Sequence, residues 1–178
     1  MGKGIILYQS KYGATKKYAE WLQDKTGYDC VETKKASITQ LHDYDTIVLG
    51  GGVYASGIAG LSFLKKNIEG LSNQKIAVFA VGASPYDEDA IGQIRTMHFT
   101  GPLSQIPLFY CRGAWNESVM SFGDRTLCKM LQKAVSKQDP STFEPWQKAL
   151  LDAVGQECDW TDPAYLEPLL DFLESLRS

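Results

Sequence analysis

Six consecutive residues near the start of the chain, Ser10-Lys11-Tyr12-Gly13-Ala14-Thr15, have the types and spacing to hold an anion. They interrupt an apolar run, Gly4-Ile5-Ile6-Leu7-Tyr8-Gln9, with hydroxyls, a lysine and a glycine, and an amphipathic pattern begins at once. Strand, tight turn and helix N-terminus in that order bring unpaired backbone N–H groups and the positive end of a helix dipole together. The first helical turn adds a clue. Lys16 and Lys17 stand where Asp or Glu is usual, and the first acid is Glu20. Cations there oppose a dipole worth ~0.3–1 kcal/mol per charge, which makes sense if a bound phosphate supplies the negative charge. A solvated helix start with two indifferent lysines accounts for the same residues.

Two more stretches of small residues carry one aromatic each. Gly51-Gly52-Val53-Tyr54-Ala55-Ser56-Gly57 follows the apolar run Asp45-Thr46-Ile47-Val48-Leu49-Gly50, and Gly82-Ala83-Ser84-Pro85-Tyr86-Asp87 follows the run Lys75 to Val81. Backbone could approach a ring closely at either loop. Together the three loops suit a flat, phosphorylated, aromatic cofactor.

The elements that must position these loops alternate regularly. Ala14, Tyr18, Trp21 and Leu22 recur at helical spacing up to Gly27, and Tyr28 to Thr33 reads as a half-buried edge strand. A short segment, Ile38 to Tyr44, precedes the next strand. Leu61, Leu64 and Ile68 mark a helix, as do Ile91, Ile94 and Met97 behind Asp87, Glu88 and Asp89, and Ile106 to Cys111 reads as a fifth strand. The expectation is α/β, a doubly wound five-stranded parallel sheet of order 2-1-3-4-5. That order gathers the loops after the first, third and fourth strands at one carboxyl edge.

Residues 113–159 break the rhythm with two helix-like pieces, about Phe122 to Val135 and Phe143 to Val154. They read as a helical insertion before the last helix of a single domain, residues 1–178. Thr161-Asp162-Pro163 offers an N-cap with proline at the first helical position, and Leu166, Leu169, Leu170, Leu173 and Leu176 form the closing apolar face. Pro168 implies a kink or a helix start near it.

Bulk properties narrow the classes. A chain of 178 residues with net charge −3 argues against general nucleic-acid binding. No apolar run approaches the ~20 residues of a membrane span, and a strand pattern at the N-terminus leaves no room for a signal peptide. Cys30, Cys111, Cys128 and Cys158 lack metal or redox spacing, as expected of reduced thiols in a cytoplasmic protein. Gly50, Gly52 and Ala55 satisfy the dinucleotide fingerprint formally, but after the wrong strand and with no helix starting within it. No P-loop sequence occurs. The ends of the first and third strands, Gln9-Ser10 and Gly50-Gly51, supply no carboxylate for phospho-aspartate chemistry, and His42 and His98 have no acid–base partner at a suggestive spacing.

Ser10 to Thr15 resembles the flavodoxin phosphate loop, [ST]-x-[TSY]-G-x-T, and Asp43 to Tyr54 is similar to that family's third strand and flavin loop. Within the superfamily, the late region looks most like the bacterial, flavodoxin-type protoporphyrinogen IX dehydrogenases. They carry a long insertion with an F-x-D-R step, here Phe122-Gly123-Asp124-Arg125, and a closing helix announced by Trp160-Thr161-Asp162. The resemblance implies FMN, with the amides from Lys11 to Thr15 and the hydroxyls of Ser10 and Thr15 on its phosphate. It also implies Tyr54 on one face of the ring system, Tyr86 on the other face or the edge, and a Ser56-Gly57 peptide able to turn its carbonyl.

Three functions follow from that resemblance. One is a flavodoxin-like electron carrier serving a redox partner protein. Another oxidises protoporphyrinogen IX and passes electrons to a quinone, and a third is an NAD(P)H-dependent quinone or flavin reductase. Val53 to Gly60 contains no carboxylate, so a flavin potential less negative than that of a strongly reducing flavodoxin is expected. Arg125, Lys129, Lys133 and Lys137 fall four apart, opposite Leu127, Met130, Leu131, Ala134 and Val135. Such a basic amphipathic helix either covers a packed apolar stripe or lies on an acidic partner or the inner face of a membrane.

Overall fold

A computed structural model, describing residues 2–54 and 57–177, places a parallel sheet at the centre of the molecule. Its strands are β1 (Gly4–Gln9), β2 (Asp29–Glu32), β3 (Thr46–Tyr54), β5 (Lys75–Gly82) and β6 (Leu108–Arg112), with the short β4 (Gly57–Ile58) antiparallel to the end of β3. The order is β2-β1-β3-β5-β6, which is the doubly wound 2-1-3-4-5 pattern once β4 is set aside.

The three inner strands are near-continuous apolar runs because both of their faces are covered. Ile5, Leu7, Ile47, Leu49, Val78 and Ala80 feed one core with Leu61 and Leu64 of α3 (Leu61–Asn67, the helix after the four-residue α2, Ile38–Leu41) and Ile94 of α4 (Glu88–His98). Ile6, Val48, Ala77, Phe79 and Val81 feed the other with Tyr18, Ala19 and Leu22 of α1 (Ala14–Thr26). Leu169 and Leu173 of the closing helix pack into that second core. Helical spacing puts Met97 on the inner face of α4, but it is half exposed; Phe99, just past the helix, is buried instead.

β3 departs from expectation. The sequence suggests a loop at Gly51, Gly52, Val53 and Tyr54, yet all four belong to the strand, with Gly51 paired to Ala80 and Gly52 to Val81. The glycines provide room, not a turn. A Cβ on Gly50 would stand 2.1 Å from the Phe79 ring, and one on Gly51 would stand 2.0 Å from the Ala59 carbonyl oxygen.

Residues 117–156 hang from a two-stranded antiparallel stem, β7 (Ala114–Asn116) and β8 (Glu157–Asp159), which no local sequence pattern announces. They include α5 (Phe122–Val135) and α6 (Pro145–Asp152). Tyr18 fastens the stem to the sheet: its hydroxyl donates to the Arg112 carbonyl at 2.5 Å and accepts from the Asp162 N–H at 3.1 Å. Asp162 also caps a 3₁₀ turn, Pro163–Leu166, by accepting from the Ala164 N–H at 2.8 Å. α7 (Glu167–Ser175) follows with Pro168 in its first turn, where a missing N–H costs nothing.

Candidate anion and cofactor site

The site begins where β1 gives way to α1. Gly13 adopts φ +100°, a conformation that L side chains avoid, and its Cβ position is otherwise open, so the turn demands glycine for its backbone. Its N–H donates to Ser10 Oγ at 3.1 Å, and its carbonyl accepts the Lys17 N–H at 3.0 Å, the first bond of the helix ladder. Ala14, Thr15 and Lys16 precede any helical acceptor, so their N–H groups point out of the helix end. No side chain caps this terminus and no acid stands in its first turn. Ser10 Oγ accepts from Gly13 and still has its own proton to donate. These features match an anion's needs.

Sheet register brings the other loops alongside. Gln9 pairs with Gly51 and Gly52 pairs with Val81, so β1 and β5 end beside the last residues of β3, which runs on to Tyr54. A cleft there is lined by Ser10, Tyr12, Ala14 and Thr15, by Gly52, Val53 and Tyr54, and by Gly82 and Ala83. The structure adds Val81, Gly113 and Ala114. Gly113 links β6 to β7 and Ala114 opens β7; this junction also reaches the edge but carries no motif that would have flagged it. The cleft encloses about 70 Å³, and the half-exposed Tyr54 ring folds back over Gly52 at its mouth.

Six expected residues lie outside the cleft lining. Lys11 turns its ammonium to Asp124. Gly13 shapes the turn, and Gly57 pairs with Tyr54. Asp87 caps α4 by accepting from the Ala90 N–H at 3.0 Å. Ser84 gives its carbonyl to the Tyr110 hydroxyl at 2.6 Å, and the exposed Tyr86 ring leans on Tyr110 with centroids 6.2 Å apart. Ala55, Ser56 and with them the Ser56-Gly57 peptide lie outside the described residues.

Asp124, in the first turn of α5, is the residue whose place the sequence concealed. Both the Lys11 ammonium and the Tyr12 hydroxyl donate to its carboxylate, and the Tyr12 hydroxyl accepts the Ser121 N–H at 3.1 Å. The Lys11 bond is the main reason the Asp124 carboxyl is held below the ordinary Asp range, with the Tyr12 bond next. The Lys11 ammonium is raised in return. Burial pushes the Tyr54 phenol up, against a smaller downward pull from Lys11.

The basic face of α5 needs correction. Arg125 is tucked beneath the helix and donates to the carbonyls of Glu117 (2.9 Å), Ser118 (2.9 Å) and Met120 (3.2 Å). Lys129, Lys133 and Lys137 are exposed. The stripe opposite them is only partly packed: Val135 is buried, while Leu127, Met130 and Leu131 are 52%, 64% and 42% exposed and Phe122 is 86% exposed.

A doubly wound parallel sheet, with a left-handed glycine turn and an uncapped helix N-terminus after its first strand, places the chain among the doubly wound α/β proteins. The chain belongs to the flavodoxin family: a family model described as a flavodoxin domain matches residues 5–142. Similar solved structures include a flavodoxin from the domain Archaea, with 18% identity, 72% of this chain and 92% of that chain covered, and a TM-score of 0.40. Two-electron reduced Megasphaera elsdenii flavodoxin has 18% identity, coverage of 60% and 82%, and a TM-score of 0.45. A flavoprotein in complex with FMN from Lactobacillus acidophilus NCFM has 17% identity, coverage of 63% and 93%, and a TM-score of 0.42. No curated protein matches the chain. Among the described residues no helix is long and apolar enough to cross a membrane.

Proposed function

We propose that this chain is an FMN-dependent redox protein whose cofactor phosphate sits at the N-terminus of α1. The observation that carries the reading is the left-handed Gly13 turn, with no capping side chain and no first-turn acid, opening on a cleft walled by glycines and alanines. Bound FMN supplies one- and two-electron transfer, which no side chain here provides. The chain's own part is to bind and orient. The N–H groups of Ala14, Thr15 and Lys16 and the hydroxyls of Ser10 and Thr15 hold the phosphate, and Tyr54 shields the ring. The free state of all four cysteines fits a reducing, cytoplasmic compartment.

The test is the visible absorption spectrum of freshly purified protein, with identification of the chromophore released by heat. A flavin spectrum, lost in Thr15→Glu, is expected. Colourless protein that takes up no FMN at micromolar concentration overturns the proposal.

Relay between partner proteins is the broadest role. The exposed apolar row of α5 beside Lys129, Lys133 and Lys137 favours a second reading, an enzyme docked on anionic membrane that oxidises protoporphyrinogen IX and reduces a quinone. Salt-sensitive flotation with anionic liposomes, together with protoporphyrinogen turnover in the presence of a quinone, supports that reading; failure of either removes it. Steady NAD(P)H consumption by the pure protein identifies the reductase instead.

A further inference from the structure

A second cleft, of about 550 Å³, opens between α6, the stem strand β8 and the loop after β5. That volume falls within the range of small-molecule sites. Phe143, Pro85 and Trp160 give it apolar walls, and two cations, Arg112 and Lys148, face it against one acid, Asp152.

Arg112 is held in place. Its Nε donates to the Ala83 carbonyl at 3.1 Å, and its guanidinium lies 4.1 Å from the centroid of the Trp160 ring. Those contacts use one of five N–H donors. The terminal amino groups have no partner among the described residues. Lys148, on the exposed side of α6, likewise makes no ion pair or hydrogen bond among them. A fixed guanidinium presents a fork that matches a carboxylate, and its cost of ordering is already met by the Ala83 and Trp160 contacts. The indole and the phenyl ring beside it suit a flat apolar body.

We propose that this cleft binds a small aromatic carboxylate, with Arg112 taking the carboxylate and Lys148 adding charge at the rim. Ala83 lines the cofactor cleft and its carbonyl holds Arg112, so one residue separates the two sites. A ligand here therefore lies next to the place proposed for the cofactor. That consequence rests on the proposed function; the binding itself does not.

The probe is sodium 2-naphthoate, titrated calorimetrically into the full-length protein with and without FMN. Saturable one-to-one binding is expected in both cases, and the neutral 2-naphthylmethanol should bind about tenfold more weakly or not at all. Lys148→Glu, an exposed change that breaks no contact, should weaken 2-naphthoate by about tenfold, and Asp152→Asn should tighten it. Arg112→Gln should abolish it, with circular dichroism reporting whether the fold survives. Absence of binding at millimolar 2-naphthoate, or equal affinity in wild type and Lys148→Glu, overturns the proposal. Because the titration is read without FMN, a protein that never binds flavin leaves this result standing, and the converse also holds.

Discussion

The ammonium of Lys11 grips the carboxylate of Asp124, although the two lie 113 positions apart in the chain. With the Tyr12 hydroxyl on the same carboxylate, this contact docks the first turn of α5 on the anion loop. It also neutralises the lysine of that loop. Asp124→Asn keeps the side chain's shape and removes its charge, so Lys11 becomes available to a phosphate. FMN should bind the variant severalfold more tightly, as read by quenching of FMN fluorescence. Unchanged or weaker binding would show that Asp124 acts only by shaping the loop.

The pH response of this docking follows from the two shifts. Asp124 is depressed below 3.8, so its contribution is complete above that value and lost as pH falls through the lower, folded-state one. Lys11 is raised above 10.5, so its contribution is complete below 10.5 and lost as pH rises through the higher one. The contact should therefore hold from roughly pH 5 to 9. Hydrogen-exchange protection of the Ser121 amide, bonded to Tyr12, should be constant over that window and fall in strong acid. Protection lost by neutral pH would contradict the assignment.

Two glycines should respond in opposite senses to alanine. Gly51→Ala drives a methyl into the Ala59 carbonyl, and overpacking of this kind costs about 1–3 kcal/mol or more. Gly92 lies inside α4 with open space where its Cβ would be, so Gly92→Ala should stabilise by about 0.5–1 kcal/mol. Urea midpoints measure both, and a harmless Gly51→Ala would sink the close-approach account of β3.

Thiol reactivity should separate the cysteines. Burial pushes the Cys111 thiol up to about 12, and its Sγ donates to the Tyr165 carbonyl at 3.7 Å. At pH 8 its thiolate fraction is about one in ten thousand. Disulfide reagents should therefore reach Cys111 only on unfolding, while the partly exposed Cys158 reacts in the native protein; peptide mapping by mass spectrometry decides it.

No carboxylate is among the described residues lining the cleft, Asp124 beside it is paired with Lys11, and Asp87, Glu88 and Asp89 stand at the start of α4. Bound flavin should thus have a potential less negative than roughly −400 mV, the range of plant-type ferredoxins. Spectroelectrochemical titration that places it there would refute this.

Local chemistry was enough to read β1, β5, the Ser10–Thr15 turn and both ends of α5 from the amino-acid order. Burial on both faces, a left-handed glycine and a helix cap each leave their mark within a few neighbouring residues. Gly51 and Gly52 misled because glycine marks a turn and a close approach alike, and only Phe79 and Ala59 on neighbouring elements tell them apart. Arg125 looked like one of a row of cations until three carbonyls of the preceding segment took it in. The pairing of β7 with β8, the reach of Asp124 to Lys11 and the cleft beside Arg112 unite residues about forty to over a hundred positions apart. No periodicity records such meetings, because they are set by how separately formed elements pack.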